Sequence, residues 1–184
     1  MTSRVMLISP AVNAALREAR FDDGCSLDPA GVRAASAAAG TLKSADRAWV
    51  SPTVRCRETA AALGVACEEA PALAGLDVGR WRGATLTEVS TDEPEAVGRW
   101  LADPESVPHG GESVRALCDR AALWLDMAAR DDGRVVAVVE PELVRGVVVR
   151  VLGAPESAFW RVDVPPLTAT ELSGRVGRWN VRVG

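Results

Sequence analysis

One stretch limits this chain more than any other: Val135-Val136-Ala137-Val138-Val139, an unbroken apolar run that ends at Glu140-Pro141. A strand that can expose neither face must lie inside a sheet covered on both sides, the habit of parallel sheets. Pro141 then predicts a helix over Pro141–Leu152 that packs back over that sheet. The same pattern recurs along the chain. Val5-Met6-Leu7-Ile8 reads as a first strand ending at Ser9-Pro10. Asp46–Ser51 reads as a short strand ending at Pro52, followed by a helix over Thr53–Leu63 that Gly64 closes. An Ala-rich helix spans Gly31–Leu42, started near Asp28-Pro29. Glu112–Ala129 is the longest amphipathic helix, with Val114, Leu117, Ala121, Leu125 and Ala128 on one face. Between these lies a segment rich in Gly, Asp and Pro, with short helices around Thr85–Val89 and Glu93–Leu101. From Trp160 onward the pattern alternates like edge strands. Strands alternating with helices predict a single α/β domain over residues 1–184, a three-layer α/β/α sandwich around a mostly parallel central sheet. Ligands of such sheets sit at the C-terminal ends of strands. Those ends are Ser9-Pro10, Ser51-Pro52 and Glu140-Pro141.

Composition narrows the function classes. The chain has 184 residues, of which 48% are apolar, so it can bury a substantial core and is not disordered. A net charge of −4 excludes a general nucleic-acid binder. No apolar stretch is long enough to span a bilayer, and the N-terminus lacks the parts of a signal peptide, so a cytoplasmic protein without membrane contact is expected. Apart from Lys43 every basic residue is Arg; with the abundant Ala, Val and Gly this is the composition of a GC-rich bacterial genome. Cys25, Cys56, Cys67 and Cys118 form no CxxC pair and read as reduced thiols. The lone His109 leaves no histidine-based metal site, so no metal or cofactor is expected.

Five stretches in order carry a resemblance: "CSLDPAGVRAA" (Cys25–Ala35), "SPTVRCRETAAAL" (Ser51–Leu63), "LAGLDVGRWRGATLTEV" (Leu73–Val89), "GGES" (Gly110–Ser113) and "VVAVVEPELVRGVVVRVLG" (Val135–Gly153). Together they resemble the histidine phosphatase superfamily, the family of phosphoglycerate mutases and α-ribazole phosphatases, over nearly the whole chain. The resemblance implies a phosphoglycerate mutase-like fold. It also implies a first strand ending in R-H-G, whose His becomes phosphorylated and whose Arg clamps the phosphate. Here Ser9 stands at the Arg, Pro10 at the nucleophile and Ala11 at the Gly. Proline offers no nucleophilic atom and no backbone N–H. The family's proton-donating acid falls on Gly75. Its second His falls on Glu140 or, with a one-residue shift, on Pro141. A carboxylate at that place repels a phosphate dianion by about 4 kcal/mol per unit pair at ~4 Å in a protein-like dielectric. Arg55 alone keeps its place, that of the second phosphate-binding Arg.

The residues therefore point away from phosphohistidine chemistry, which needs a nucleophile, a charge clamp and an acid. Two readings stay open. In one, the protein is a non-catalytic relative that binds a small anionic ligand or a protein partner through Arg55, Ser9, Asn13 and Glu140. In the other, it is an enzyme rebuilt for a small metabolite, with Glu140 as acid or base and Arg55 as anion clamp. Residual phosphatase activity is a third, weaker reading. Each residue also has a plainer role: Arg55 and Glu140 as each other's counter-ions, Ser9 and Asn13 as helix caps, Trp81 as packing. Trp49, Trp100, Trp124, Trp160 and Trp179 read as core or interface. Arg80 and Arg82, flanking Trp81, face either a cleft or solvent. His109, between Pro108 and Gly110, reads as an exposed loop residue.

Overall fold

The structure is a computed structural model that describes residues 2–41 and 44–182. Strands β1 (Ser3–Ile8), β2 (Arg47–Val50), β3 (Glu68–Glu69), β4 (Arg134–Val138), β5 (Ala169–Arg175) and β6 (Arg178–Arg182) form one sheet in the order β3-β2-β4-β1-β5-β6. The first four run parallel, β5 is antiparallel to β1, and β6 is antiparallel to β5. The apolar run that opened the argument is β4 and its exit. It lies between β1 and β2, and none of Val135 to Val139 is more than 2% exposed.

Among the described residues seven α-helices surround the sheet: α1 (Ala14–Arg17), α2 (Pro29–Ala38), α3 (Val54–Ala62), α4 (Leu86–Asp92), α5 (Pro94–Ala102), α6 (Val114–Ala128) and α7 (Pro141–Leu152). Helices α6 and α7 cover one face, where Trp124, Leu125, Leu143 and Val147 meet Val5, Leu7, Val135 and Ala137. Each fully buried side chain of this kind contributes about 1.5–3 kcal/mol. Gly146 lets the two helices approach closely, since a Cβ there would stand 2.9 Å from Leu117 Cδ2. On the other face Cys56, Ala60 and Leu63 pack with Ala38 of α2 against Ile8, Val50, Val136 and Val138. The alternation of β4 between the two faces is what fixes three layers. No described helix is long and apolar enough to cross a membrane.

Local rules set the helix ends. Helix α7 spans the residues its pattern predicts and stops at Gly153, which takes a left-handed φ of 62°. Thr85 and Glu88 form a capping box at the start of α4. Asp28 caps α2, which starts at Pro29 and ends at Ala38; Leu42, where the sequence pattern ends that helix, lies outside the described residues.

Two expectations need correction. Trp160 does not begin a strand. It sits in a 3-10 turn, Glu156–Arg161, and the hairpin starts only at Ala169. Pro165 and Pro166 interrupt the alternation because proline cannot donate to a ladder. His109 is not exposed but only 2% accessible. Its ring meets Trp81 and Trp100 edge-on, with centroids 5.1 and 6.1 Å away. Its Nδ1 accepts the Gly111 N–H at 3.0 Å. Its loop lies so close to Gly79 that a Cβ there would stand 2.2 Å from the His109 carbonyl oxygen.

Candidate functional site

A cavity of about 440 Å³ opens at the C-terminal ends of β2 and β4. On the sheet side it is lined by Thr53, Arg55, Glu140 and Glu142, and on the other by Phe21, Trp100 and Trp160. The aromatic side belongs to a separate apolar cluster, in which α4 and α5 enclose Trp81 and Trp100 with Phe21 and Trp160. Trp100 and Trp160 pack edge-on with ring centroids 4.5 Å apart.

Thr53 and Glu140 are the N-cap residues of α3 and α7, yet neither side chain caps its own helix. They bond to each other instead, Thr53 Oγ1 donating to Glu140 Oε1 at 2.7 Å. Arg55 adds a two-pronged contact: Nε donates to Oε1 at 3.3 Å and Nη2 donates to Oε2. The Arg55 and Glu140 side chains are 9% and 4% exposed, so the pair is buried. Burial alone draws the Arg55 pKa down, but the Glu140 carboxylate outweighs it and holds the guanidinium charged. The Cys56 thiol completes the ring of donors, 3.5 Å from Oε1. Burial, reinforced by Glu140, pushes that thiol far above its ordinary value, so Cys56 is not a thiolate nucleophile.

Glu140 owes its position partly to an absent side chain. A Cβ on residue 75 would stand 3.2 Å from Glu140 Cγ, so Gly75 leaves the space that Glu140 uses. Two residues further, Glu142 also lines the cavity, in the first turn of α7. Among the described residues its carboxylate has no hydrogen-bond or ion-pair partner. Burial and then the neighbouring Glu140 raise its pKa above its ordinary 4.5, while Arg55 and Arg145 act the other way.

Of the residues expected to form the site, Arg55, Glu140 and Asn13 line the cavity and Ser9 does not. Ser9 is fully buried. Its Oγ donates to the Pro165 carbonyl at 2.5 Å and accepts the Thr168 N–H at 3.0 Å. Because β5 runs antiparallel to β1, the loop entering β5 lies at the end of β1 and takes up this hydroxyl. Asn13 caps α1, its Oδ1 accepting the Leu16 N–H at 3.0 Å, while still facing the cavity. Arg80 turns away to Glu93, whereas Arg82 lies on the cavity rim, 3.8 Å from Asp22. Arg55 is not a free anion clamp, because Glu140 occupies it. Sequence reasoning missed Glu142, although "EPE" at the end of a buried strand places both carboxylates in one helical turn. It also set Trp100 and Trp160 aside as core; only long-range packing brings them to the cavity.

The sheet order, the layers and this cavity at the strand ends define a class, and the sequence comparison agrees. The model of the histidine phosphatase superfamily (branch 1) matches residues 12–183, and the chain belongs to that superfamily. The match begins just past Ser9-Pro10-Ala11.

Solved structures share the fold over almost the full length. "Mycobacterial hydrolase 1" is 24% identical with a TM-score of 0.87, covering 100% of this chain and 98% of that one. Mycobacterial glucosyl-3-phosphoglycerate phosphatase is 22% identical with a TM-score of 0.85, with the same coverage of 100% and 98%. Phosphoserine phosphatase from Entamoeba histolytica, in complex with 3-phosphoglyceric acid, is 17% identical with a TM-score of 0.87, covering 98% of this chain and 95% of that one. No curated protein sequence matches the chain.

Proposed function

We propose that this protein keeps the superfamily's fold and its pocket at the strand ends, has lost phosphohistidine chemistry, and uses the pocket to bind a small molecule. One observation carries the reading: Glu140 holds Arg55, the one phosphate-binding residue that the resemblance retains, so that guanidinium is not free to clamp a phosphate. The only histidine, His109, sits edge-on against Trp81 and Trp100 and is not on the cavity lining, so it supports no alternative nucleophile. Pro10 has no side-chain group to phosphorylate. Glu140, with both oxygens engaged, is also unsuited to shuttle a proton, which weighs against the rebuilt enzyme with Glu140 as acid or base and Arg55 as clamp. The anionic ligand expected from Arg55 loses its receptor for the same reason. Several solved neighbours are phosphatases, so residual phosphatase activity is the competing outcome.

The test is hydrolysis of p-nitrophenyl phosphate, phosphoserine and 3-phosphoglycerate by the full chain, with Arg55→Ala as control. The expected result is release of phosphate no faster than in buffer. Losing a nucleophile and an acid removes most of the several orders of magnitude such groups supply together. Hydrolysis that disappears in Arg55→Ala would overturn the proposal.

A further inference from the structure

A second cavity, of about 360 Å³, lies at the other end of the sheet, where β1 and β4 begin, and Arg4, Arg134, Glu171, Ser173 and Arg182 line it. The register explains why cations meet there. Arg4 stands opposite Arg134 on β4 and opposite Ser173 on β5, so the three side chains form one row on one face of the sheet. Helices α2 and α3 pack on that face against Met6 and Val136, two residues further along each strand. The row itself is left open: Arg4 is exposed and Arg134 and Ser173 are half-buried. Like charges set opposite one another across a ladder repel. Among the described residues neither guanidinium has a carboxylate partner. Arg134 Nη1 reaches the Ser44 carbonyl at 3.5 Å, and Asp46 accepts the Arg134 backbone N–H at 2.7 Å, not its side chain. Glu171, on the same lining, is engaged by Arg182 at 3.2 Å. A single exposed arginine is satisfied by water. Two placed opposite each other at a cavity hold a double positive charge, in a chain whose net charge is −4.

We propose that this second cavity binds a phosphate monoester, its dianionic head held between the Arg4 and Arg134 guanidinium groups and its organic part in the remaining volume. The planar forks of two arginines match the oxygens of one phosphate, and two positive charges balance its two negative ones. Ser173 adds a hydroxyl that can donate to the same head. A volume of about 360 Å³ exceeds what a bare phosphate fills and suits a small molecule. The site is separate from the cavity at the C-terminal strand ends and does not depend on how that cavity is used.

Isothermal titration of the full chain at low ionic strength compares glycerol 3-phosphate, inorganic phosphate and acetate. Glycerol 3-phosphate is expected to bind at least as tightly as phosphate, both at least about tenfold more tightly than acetate, and added salt should weaken both. Arg4→Gln and Arg134→Gln should each weaken the two phosphate compounds by about tenfold or more. Arg99→Gln, which removes an exposed charge from α5, the helix that carries Trp100, should not. Both test variants should fold, because each relieves a repulsion. Their unliganded Tm should match or exceed that of the native chain, and glycerol 3-phosphate should raise the Tm of the native chain but not of the variants. Acetate binding as tightly as phosphate, no binding of either phosphate compound, or phosphate affinity that survives both variants would overturn the assignment. Hydrolysis of phosphate esters reports on the strand-end cavity alone, so the two proposals fail independently.

Discussion

Strands β1 and β4 lie side by side and run the same way, and each leads into a polar residue followed by proline; the two ends are used in opposite ways. At β1, Ser9 turns toward the loop entering β5 and satisfies its hydroxyl there. The residue after Pro10 is tied to α3, Ala11 N–H donating to Thr59 Oγ1 at 3.0 Å. That end is closed. At β4, Glu140 turns toward α3 and is shared by Thr53, Arg55 and Cys56, and Glu142 two residues on lines the cavity. In a parallel sheet the ligand site is a property of the row of strand ends, not of any one strand. One end of the row has become framework here while its neighbour still borders a pocket.

The most severe way to break this contrast is to remove Arg55. Arg55→Ala strands a buried Glu140 carboxylate and should destabilise the fold by about 3–5 kcal/mol in denaturant unfolding. Arg55→Met combined with Glu140→Gln should recover much of that loss, because neither charge is left alone. Strict additivity of the two changes would mean that the pair is not coupled in solution.

A smaller effect belongs to the closed end. Ser9→Ala leaves the Thr168 N–H and the Pro165 carbonyl short of a buried partner and should cost about 1–3 kcal/mol. Ligand affinity should not change, since Ser9 is absent from the cavity lining. Altered binding without altered stability would put Ser9 at the site after all.

The smallest effect concerns the aromatic side of the cavity. Burial lowers the His109 pKa below its ordinary 6.5. The unfolded chain therefore binds that proton more tightly than the native one. Stability from this group is fully present above pH 6.5 and falls as the pH drops below it toward the native value. His109→Phe should flatten that part of the curve in thermal unfolding across pH, and an unchanged slope would show that His109 is not the group responsible.

How far this was legible in the sequence depends on whether a residue's environment is local. Strand β4 and helix α7 could be read because burial on both faces and a proline at the first turn leave marks within a few residues. The α6 face could be read from its period alone. Strand β3 left no mark, being two exposed glutamates. The burial of His109 was invisible for a related reason: Trp81 and Trp100 reach it from other elements, while its immediate neighbours are Pro108 and Gly110. The site was half legible. The pairing of Arg55 with Glu140 follows from strand ends that must be neighbours, but the direction in which Ser9 points depends on β5, more than 150 positions later in the chain.

The contact between Gly75 and Glu140 has a consequence for how this sequence can change with time. Glu140 is pinned by Thr53 and Arg55, and its Cγ stands 3.2 Å from where a Cβ on residue 75 would be. A change of Gly75 to an acid would crowd Glu140 and set a second carboxylate against it. A step from Glu140 to histidine taken first would leave Arg55 without its counter-charge. Each single change passes through a less stable chain, so positions 75, 55 and 140 can be exchanged only together.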